Sequence, residues 1–339
     1  MLSRPTIQFD TMVETLKAAA EPSRLRILVL LSHTDLTVSD LTEILNQSQP
    51  RVSRHLKLLL EADLIVRYQE GSWAFFRLSD TEAARAFVTA VVGRVDQADD
   101  VIERDLERLE AIKRRRQERA AEYFAQNAAS WDEIRSLHVP DAAVEQALLE
   151  LIGNEPFQSM ADLGTGTGRL LELFAPLYRR GVGVDLSREM LAVARANLEK
   201  ADILHAQVRL GDVYAPPVER DAHDLVTLHQ VLHYLDEPAQ AVGEAAKLLR
   251  PAGRLVIVDF ATHDLEFLRE EHAHLRLGFS DRQIREWVEA AGLVLTETRS
   301  FAPETNGDAG LTVKLWIAQD QRLLIADTEL SAAAGTEIA

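Results

Sequence analysis

Two folded units are predicted along these 339 residues. The first is a mainly α unit ending in a β-hairpin, and the second is an α/β unit on a mainly parallel seven-stranded sheet. Three observations predict them. The length exceeds what one ordinary core supports. The first hundred residues order their signals as helix, turn, helix, hairpin. From residue 158 onward, strand and helix signals alternate around closely spaced glycines at 164, 166 and 168.

The expected division is residues 1–110 for the first unit, 111–135 for a linker helix, 136–318 for the α/β unit and 319–339 for a tail with little order. Charge follows it. Residues 1–120 carry 18 basic and 19 acidic groups, while the remainder carries 19 and 35 of the total giving a net charge of −17. An acidic body repels nucleic acid at long range, so any such contact must come from a local basic face of the first unit. With no cysteine, disulfides and thiolate metal sites are excluded. No apolar run approaches the ~18 residues of a membrane span, and the first residues lack a signal-peptide core, so a cytoplasmic protein is expected.

In the first unit, a helix at 8–19 leads to a second begun by Pro22, whose Leu25, Ile27, Leu28, Leu30 and Leu31 predict burial. Thr37 caps a short helix over Val38–Leu45, with Asp40 in its first turn. A turn at 46–48 precedes a helix from Gln49 to Ala62. Val52, Leu56, Leu59 and Leu60 fall on its dry side, with Arg51, Arg54 and Lys57 opposite and Gln49 and Ser53 at its exposed N-terminal end. Strands over Leu64–Gln69 and Trp73–Leu78 then bring Arg67 and Arg77 onto a hairpin.

The runs Glu-Pro-Ser-Arg-Leu-Arg-Ile-Leu at 21–28 and Gln-Pro-Arg-Val-Ser-Arg-His-Leu-Lys-Leu-Leu at 49–59 make residues 10–110 resemble the ArsR/SmtB family of dimeric winged helix-turn-helix repressors. The resemblance implies that the second helix of the pair enters the major groove of double-stranded operator DNA. Gln49, Arg51, Ser53, Arg54, His55 and Lys57 would then contact bases or phosphates, and Arg67 and Arg77 would clamp the backbone from the wing. A solvated basic face with a buried His55 is the plain alternative. Where arsenic sensors of the family carry Cys-Val-Cys, this chain has Thr37-Val38-Ser39, so metal sensing there is not expected. A long helix is expected over Thr81–Arg119. Its Ala84, Val88, Val91, Val95, Ala98 and Ile102 alternate spacings of four and three, predicting a seam for a partner helix and hence a homodimer. Packing within one chain is the alternative.

In the second unit the expected strands are 159–163, 181–185, 207–210, 224–228, 254–260, 294–300 and 312–318. Helices are expected over 169–178, 188–199, 238–249 and 281–291. Ligands bind at the carboxyl ends of such strands. There Gly164, Gly166 and Gly168, with Thr165 between the first two, make a loop at a helix N-terminus in which a ligand can lie against the backbone. The dinucleotide fingerprint is excluded because Arg169 stands where it needs Gly or Ala. Asp185 ends the second strand, placed for two ribose hydroxyls, and Asp212 with Val213 follows the third, placed for an adenine amino group. Acid at both favours an unphosphorylated adenosine.

With Leu-His-Gln-Val-Leu-His at 228–233 and Leu-Arg-Pro-Ala-Gly-Arg at 249–254, residues 120–318 resemble the class I S-adenosylmethionine-dependent methyltransferases, a Rossmann-like fold. The resemblance implies that Asp162 and Gly164–Gly166 hold the methionine part. Asp185, Leu186 and Met190 would hold the ribose and ring edge, Asp212 and Val213 the adenine, and Tyr123, Trp131 and Arg135 would form a lid. His229 lies nearby as a ligand contact. His229 and His233 are the candidates for a catalytic base, or equally packing residues. Asp259, His263, Asp264, Glu266, Glu270, His272 and His274 have the residue types of a catalytic or metal site. Their loose spacing favours loop-ordering histidines, and no metal is expected.

The pairing of the two units resembles the S-adenosylhomocysteine-responsive repressors of methionine metabolism. It implies a dimeric regulator sensing S-adenosylhomocysteine or S-adenosylmethionine; an active methyltransferase with a regulatory first unit is the alternative.

Overall fold

The computed structural model describes residues 8–70, 72–79, 81–128, 131, 141–302 and 311–322. Contacts divide the chain into two compact units, Met1–Glu118 and Arg119–Ala339.

In the first unit, α1 (Phe9–Ala19), α2 (Pro22–Leu31), β1 (Leu36–Thr37), α3 (Val38–Leu45) and α4 (Gln49–Glu61) precede the hairpin β2 (Ile65–Glu70) and β3 (Trp73–Leu78). Thr37 and Asp40 exchange hydrogen bonds in a capping box that starts α3, and Asn46, at φ 52°, ends it in the left-handed region. α4 carries Pro50 in its first turn, and its Val52, Leu56 and Leu59 enter a core with Ile27, Leu28 and Leu30 of α2 and Leu41 and Ile44 of α3. β1 pairs antiparallel with β3, which closes a three-stranded sheet around the wing.

The single long helix expected over 81–119 is instead two. α5 (Glu82–Val92) ends at Gly93, and α6 (Asp100–Asn127) starts seven residues later and passes through the boundary at Glu118. The seam is broken with it. Val95 and Ala98 lie between the helices, whereas Ala84, Val88 and Ile102 are buried within the unit, Val88 in its core. The stripe therefore packs largely inward. α6 is tied down by Asp105, whose carboxylate receives both arms of Arg26 at 2.5 and 2.6 Å, and by Arg116 on Asp40 at 2.8 Å.

The second unit follows its pattern more closely. After α7 (Asp141–Ile152), seven strands form one sheet: β4 (Phe157–Leu163), β5 (Tyr178–Asp185), β6 (Ala206–Leu210), β7 (His223–His229), β8 (Leu249–Phe260), β9 (Leu293–Phe301) and β10 (Val313–Asp320). Their order is β6-β5-β4-β7-β8-β10-β9, with β10 antiparallel to both neighbours. α8 (Arg169–Phe174), α9 (Arg188–Lys200), α10 (Pro238–Leu248), α11 (Phe267–Glu271) and α12 (Asp281–Ala290) connect them. α8 stops at Phe174, so Tyr178 opens β5 instead of closing a helix; its hydroxyl donates to the Leu171 carbonyl at 2.7 Å. β10 runs two residues past the expected end of the last strand, to Asp320. Arg322 pairs with Asp320 and Asp221 at 2.6 Å each, so residues 319–322 do not belong to a loose tail. Buried side chains cover both sheet faces, which suits strands whose apolar residues run continuously.

Candidate functional sites

The first candidate site is the exposed face of α4. Gln49, Arg51, Ser53, Arg54 and Lys57 are all exposed there, and Arg67 is exposed on the wing. Arg77 is half-buried with its guanidinium 5.9 Å from the centroid of the Tyr68 ring. His55 departs from the expectation. It is 9% exposed, with Nδ1 3.5 Å from Glu21, because a residue three on from Val52 and four before Leu59 turns toward the core. It belongs to the packing of α4, not to the contact face. Burial pulls its imidazole below the ordinary range.

The second lies at the carboxyl ends of β4, β5 and β7. Asp162, buried at the end of β4, accepts hydrogen bonds from Thr165 Oγ1 at 2.7 Å and Thr227 Oγ1 at 2.5 Å, which pins the turn after the strand to β7. Gly164, Gly166 and Gly168 have φ of 71°, 53° and 84°, a region L side chains rarely enter. At Gly164 a Cβ would collide with Val231, so the turn packs against the segment after β7. At Gly166 it would meet only Trp131 Nε1, at 3.8 Å, leaving a cradle open on one side.

Asp185 caps that cradle. Its Oδ2 accepts the Gly166 amide and its Oδ1 the Ser187 amide, both at 2.8 Å, with the remaining lone pairs available to hydroxyl donors. Burial pushes its carboxyl above the ordinary range, against the lowering effect of these amides. Leu186 is exposed beside it, and Met190, in the first turn of α9, is buried. Asp212 accepts the Tyr214 amide at 3.0 Å and stands half-buried next to buried Val213. The arrangement fits an adenosyl ligand: bare backbone for its amino-acid end, one acid for the ribose and a second one strand away for the base.

Beside Gly166 lies an aromatic cluster. Trp131 makes edge contacts with Tyr123 and Phe124, at 6.2 and 5.3 Å, and Phe124 meets Tyr234 at 4.7 Å. Tyr123 Oη is 2.7 Å from His272 Nδ1. Phe124 and Tyr234 escaped the sequence reading because a lone aromatic in a helical stretch carries no positional signal; Phe124, next to Tyr123, was the nearest to legible. Arg135 lies outside the described residues.

His229 is half-buried at the end of β7. His233, in the turn that follows, is wholly buried, with Nδ1 2.8 Å from Asp259 Oδ1. The loose cluster at 259–274 therefore splits. Asp259 and His274 join His233, whose ring is 4.2 Å from that of His274; His263 lies near Phe260; His272 joins the aromatic cluster; and Glu266 pairs with Arg269. Among the described residues no group of acidic and histidine side chains is arranged to hold a metal ion. None of their helices is long and apolar enough to cross a membrane.

Comparison with known proteins decides what these two sites belong to. Residues 21–66 match the bacterial regulatory protein, arsR family, and residues 161–257 match a methyltransferase domain. The chain joins an arsR-family regulatory domain to a class I methyltransferase fold. The arsR-family part is 44% identical over 68 residues to the arsenical resistance operon repressor of Escherichia coli, covering 20% of this chain and 58% of that one. A Streptomyces fradiae relative, an uncharacterized 37.1 kDa protein in transposon TN4556, is 34% identical over 161 residues, 45% of this chain and 46% of its own. The chain thus spans about half the length of these curated relatives. A chain in the Haloferax volcanii complex of the Trm112 methyltransferase activator with a methyltransferase shares the fold, with a TM-score of 0.50 at 24% identity over 59% of this chain and 98% of that one. The seven-stranded, mainly parallel sheet of the methyltransferase-type unit is the one the alternation implied; its strand order, with one antiparallel strand next to the edge, is seen only in the structure.

Proposed function

We propose that the chain is a dimeric, cytoplasmic, operator-binding regulator whose methyltransferase-type unit binds S-adenosylhomocysteine or S-adenosylmethionine and reports it to the DNA-binding unit. The observation that carries this reading is the open cradle at Gly166, bordered by Asp185 and with Asp212 one strand away, in the same chain as the exposed basic face of α4. Contact of that face with phosphates and base edges would come from Gln49, Arg51, Ser53, Arg54 and Lys57, with Arg67 and Arg77 on the wing. The arsenical signal of the repressor relative does not carry over: Thr37-Val38-Ser39 offers no thiolate, and the 339 residues contain no cysteine.

The dimer face that the exposed apolar residues favour differs from the broken seam. Phe9 and Leu16 of α1, seven residues apart and so on one side of the helix, are 80% and 50% exposed, and Val101 of α6 is also exposed. Leu16→Glu is expected to leave a monomer in sedimentation, and an unchanged dimer would move the interface elsewhere.

Sensing is tested by calorimetric titration of the full chain with each adenosyl compound, with and without operator DNA selected by the protein. Ligand and operator must alter each other's affinity by the same factor, about 5- to 150-fold for a coupling of about 1–3 kcal/mol. Identical operator affinity with and without both compounds would sink the sensing reading.

A second reading is an active methyltransferase. The buried His233–Asp259 pair favours it, since binding an adenosyl compound makes no use of such a dyad.

A further inference from the structure

His233 and His274 are 1% and 6% exposed, and each keeps a ring nitrogen, Nε2 and Nδ1 respectively, with no hydrogen-bond partner among the described residues. Buried polar atoms left this way are uncommon because their lost hydration is not replaced, and they call for a ligand that completes them. The other side of the His233 ring is fixed. Asp259, itself 0% exposed, accepts from the Leu232 amide at 3.0 Å and the Phe260 amide at 2.8 Å as well as facing His233 Nδ1. A carboxylate so surrounded by donors places the imidazole proton on Nδ1 and leaves the lone pair on Nε2. The His233 ring touches Tyr234 at 4.0 Å; Tyr234 touches Trp131 at 6.4 Å; and Trp131 borders the cradle at Gly166. A proton acceptor thus stands at one end of a run of rings whose other end is the candidate methyl-donor site.

From this placement we infer that the unit methylates a neutral, planar acceptor bearing a weakly acidic hydroxyl, a phenol or enol, with Nε2 of His233 accepting that hydroxyl's proton and Asp259 as its positioning residue. The inference deepens the second reading above and rests on an adenosyl methyl donor binding beside Gly166. An aromatic wall of Phe124, Trp131 and Tyr234 suits a flat, uncharged molecule, which loses little on leaving water. A neutral phenol is a poor nucleophile with a pKa near ~10, so removal of its proton as the bond forms is the help it needs. In the step, the O–H bond breaks and its proton goes to Nε2. An oxygen lone pair forms the new C–O bond to the sulfonium methyl carbon as the C–S bond breaks, its electron pair staying on sulfur. The products are a methyl ether, a neutral thioether and an imidazolium beside Asp259, which then releases its proton to solvent. Burial holds His274 and His263 well below the ordinary imidazole range, His263 at about 4, so these neighbours stay uncharged as the imidazolium forms.

The test uses the full chain, with 4-nitrophenol and 4-nitrocatechol as probes. With S-adenosylhomocysteine bound, 4-nitrophenol should take on phenolate absorbance at a pH where it is protonated in free solution, and His233→Gln should bind it without that change. With methyl-labelled donor, wild type should label 4-nitrocatechol. His233→Gln should slow transfer by about 100-fold or more with donor affinity unchanged and the fold retained by circular dichroism, and Asp259→Asn should lower kcat more than it raises KM and shift the pH–rate profile. Nitrophenol that fails to bind or stays protonated in wild type, or a His233→Gln protein that transfers at the wild-type rate, overturns the acceptor assignment while leaving adenosyl binding intact. No calorimetric signal with either adenosyl compound overturns the underlying reading as well.

Discussion

Nδ1 of His233 stands 2.8 Å from Oδ1 of Asp259, joining the turn after β7 to the end of β8. Because Asp259 also gathers the Leu232 and Phe260 amides, truncating it orphans three buried donors at once. Asp259→Ala should therefore cost about 3–5 kcal/mol of stability in urea unfolding. A loss below about 1 kcal/mol would mean that water replaces the carboxylate, and that the pair is not a fixed dyad.

The histidine group makes stability depend on pH. His263 and His274 have folded pKa values depressed by burial, His263 from 6.5 to about 4. Between those two values the unfolded chain binds more protons than the folded one, so stability rises with pH there. Their contribution is intact above about pH 6.5 and is lost progressively as pH falls toward about 4. Denaturation at about pH 5 should show wild type weakened relative to about pH 7, by about 1 kcal/mol from His263 after allowing for its partial exposure, with His274 acting in the same direction. His263→Gln with His274→Gln should flatten that slope; an unaltered slope would assign it to the carboxylates instead.

How much of this was legible follows from what local sequence encodes. Period and capping announced α3, α4 and the strands of the sheet, because Thr37, Asn46 and the runs of β-branched residues act on their own neighbourhood. Gly164 and Gly166 were legible for the same reason, since backbone conformation demands glycine regardless of distant partners. The break at 93–99 was not legible: apolar spacing continues through Val95 and Ala98, and only packing of Val88 and Ile102 against the first unit's own side chains decides it. His55 was misplaced because a histidine within a basic run looks like its neighbours until the helix phase is fixed by Leu56 and Leu59. The His233–Asp259 pair joins residues 26 apart, one in the turn after β7 and one on β8, and no periodicity in one chain carries that pairing.

The two glycines of the turn separate folding from binding. Gly164→Ala sets a methyl group on Val231, so it should lower thermal stability whether or not ligand is present. Gly166→Val instead projects into the open cradle, at a strain of about 1–3 kcal/mol from its positive φ, which a β-branched side chain fits poorly. It should abolish calorimetric binding of S-adenosylhomocysteine at temperatures where the variant is still folded, and Asp185→Ala should weaken binding by about tenfold or more. Tight binding to the Gly166→Val protein would remove the cradle from the ligand site.

Arg54 and His55, adjacent on α4, should behave oppositely toward DNA. Arg54 is exposed on the basic face, so Arg54→Ala should weaken operator binding and, if it meets a phosphate, reduce the slope of log affinity against log salt by about 0.9. His55 is turned inward toward Glu21, so His55→Gln should leave that slope alone and act on the unfolding midpoint of the first unit. Measuring both variants by fluorescence anisotropy across a salt series, with a urea titration beside it, separates contact from packing. A salt slope that drops with His55→Gln and not with Arg54→Ala would mean that α4 meets the duplex with a different face, and the order of its contacts would have to be reassigned around the helix.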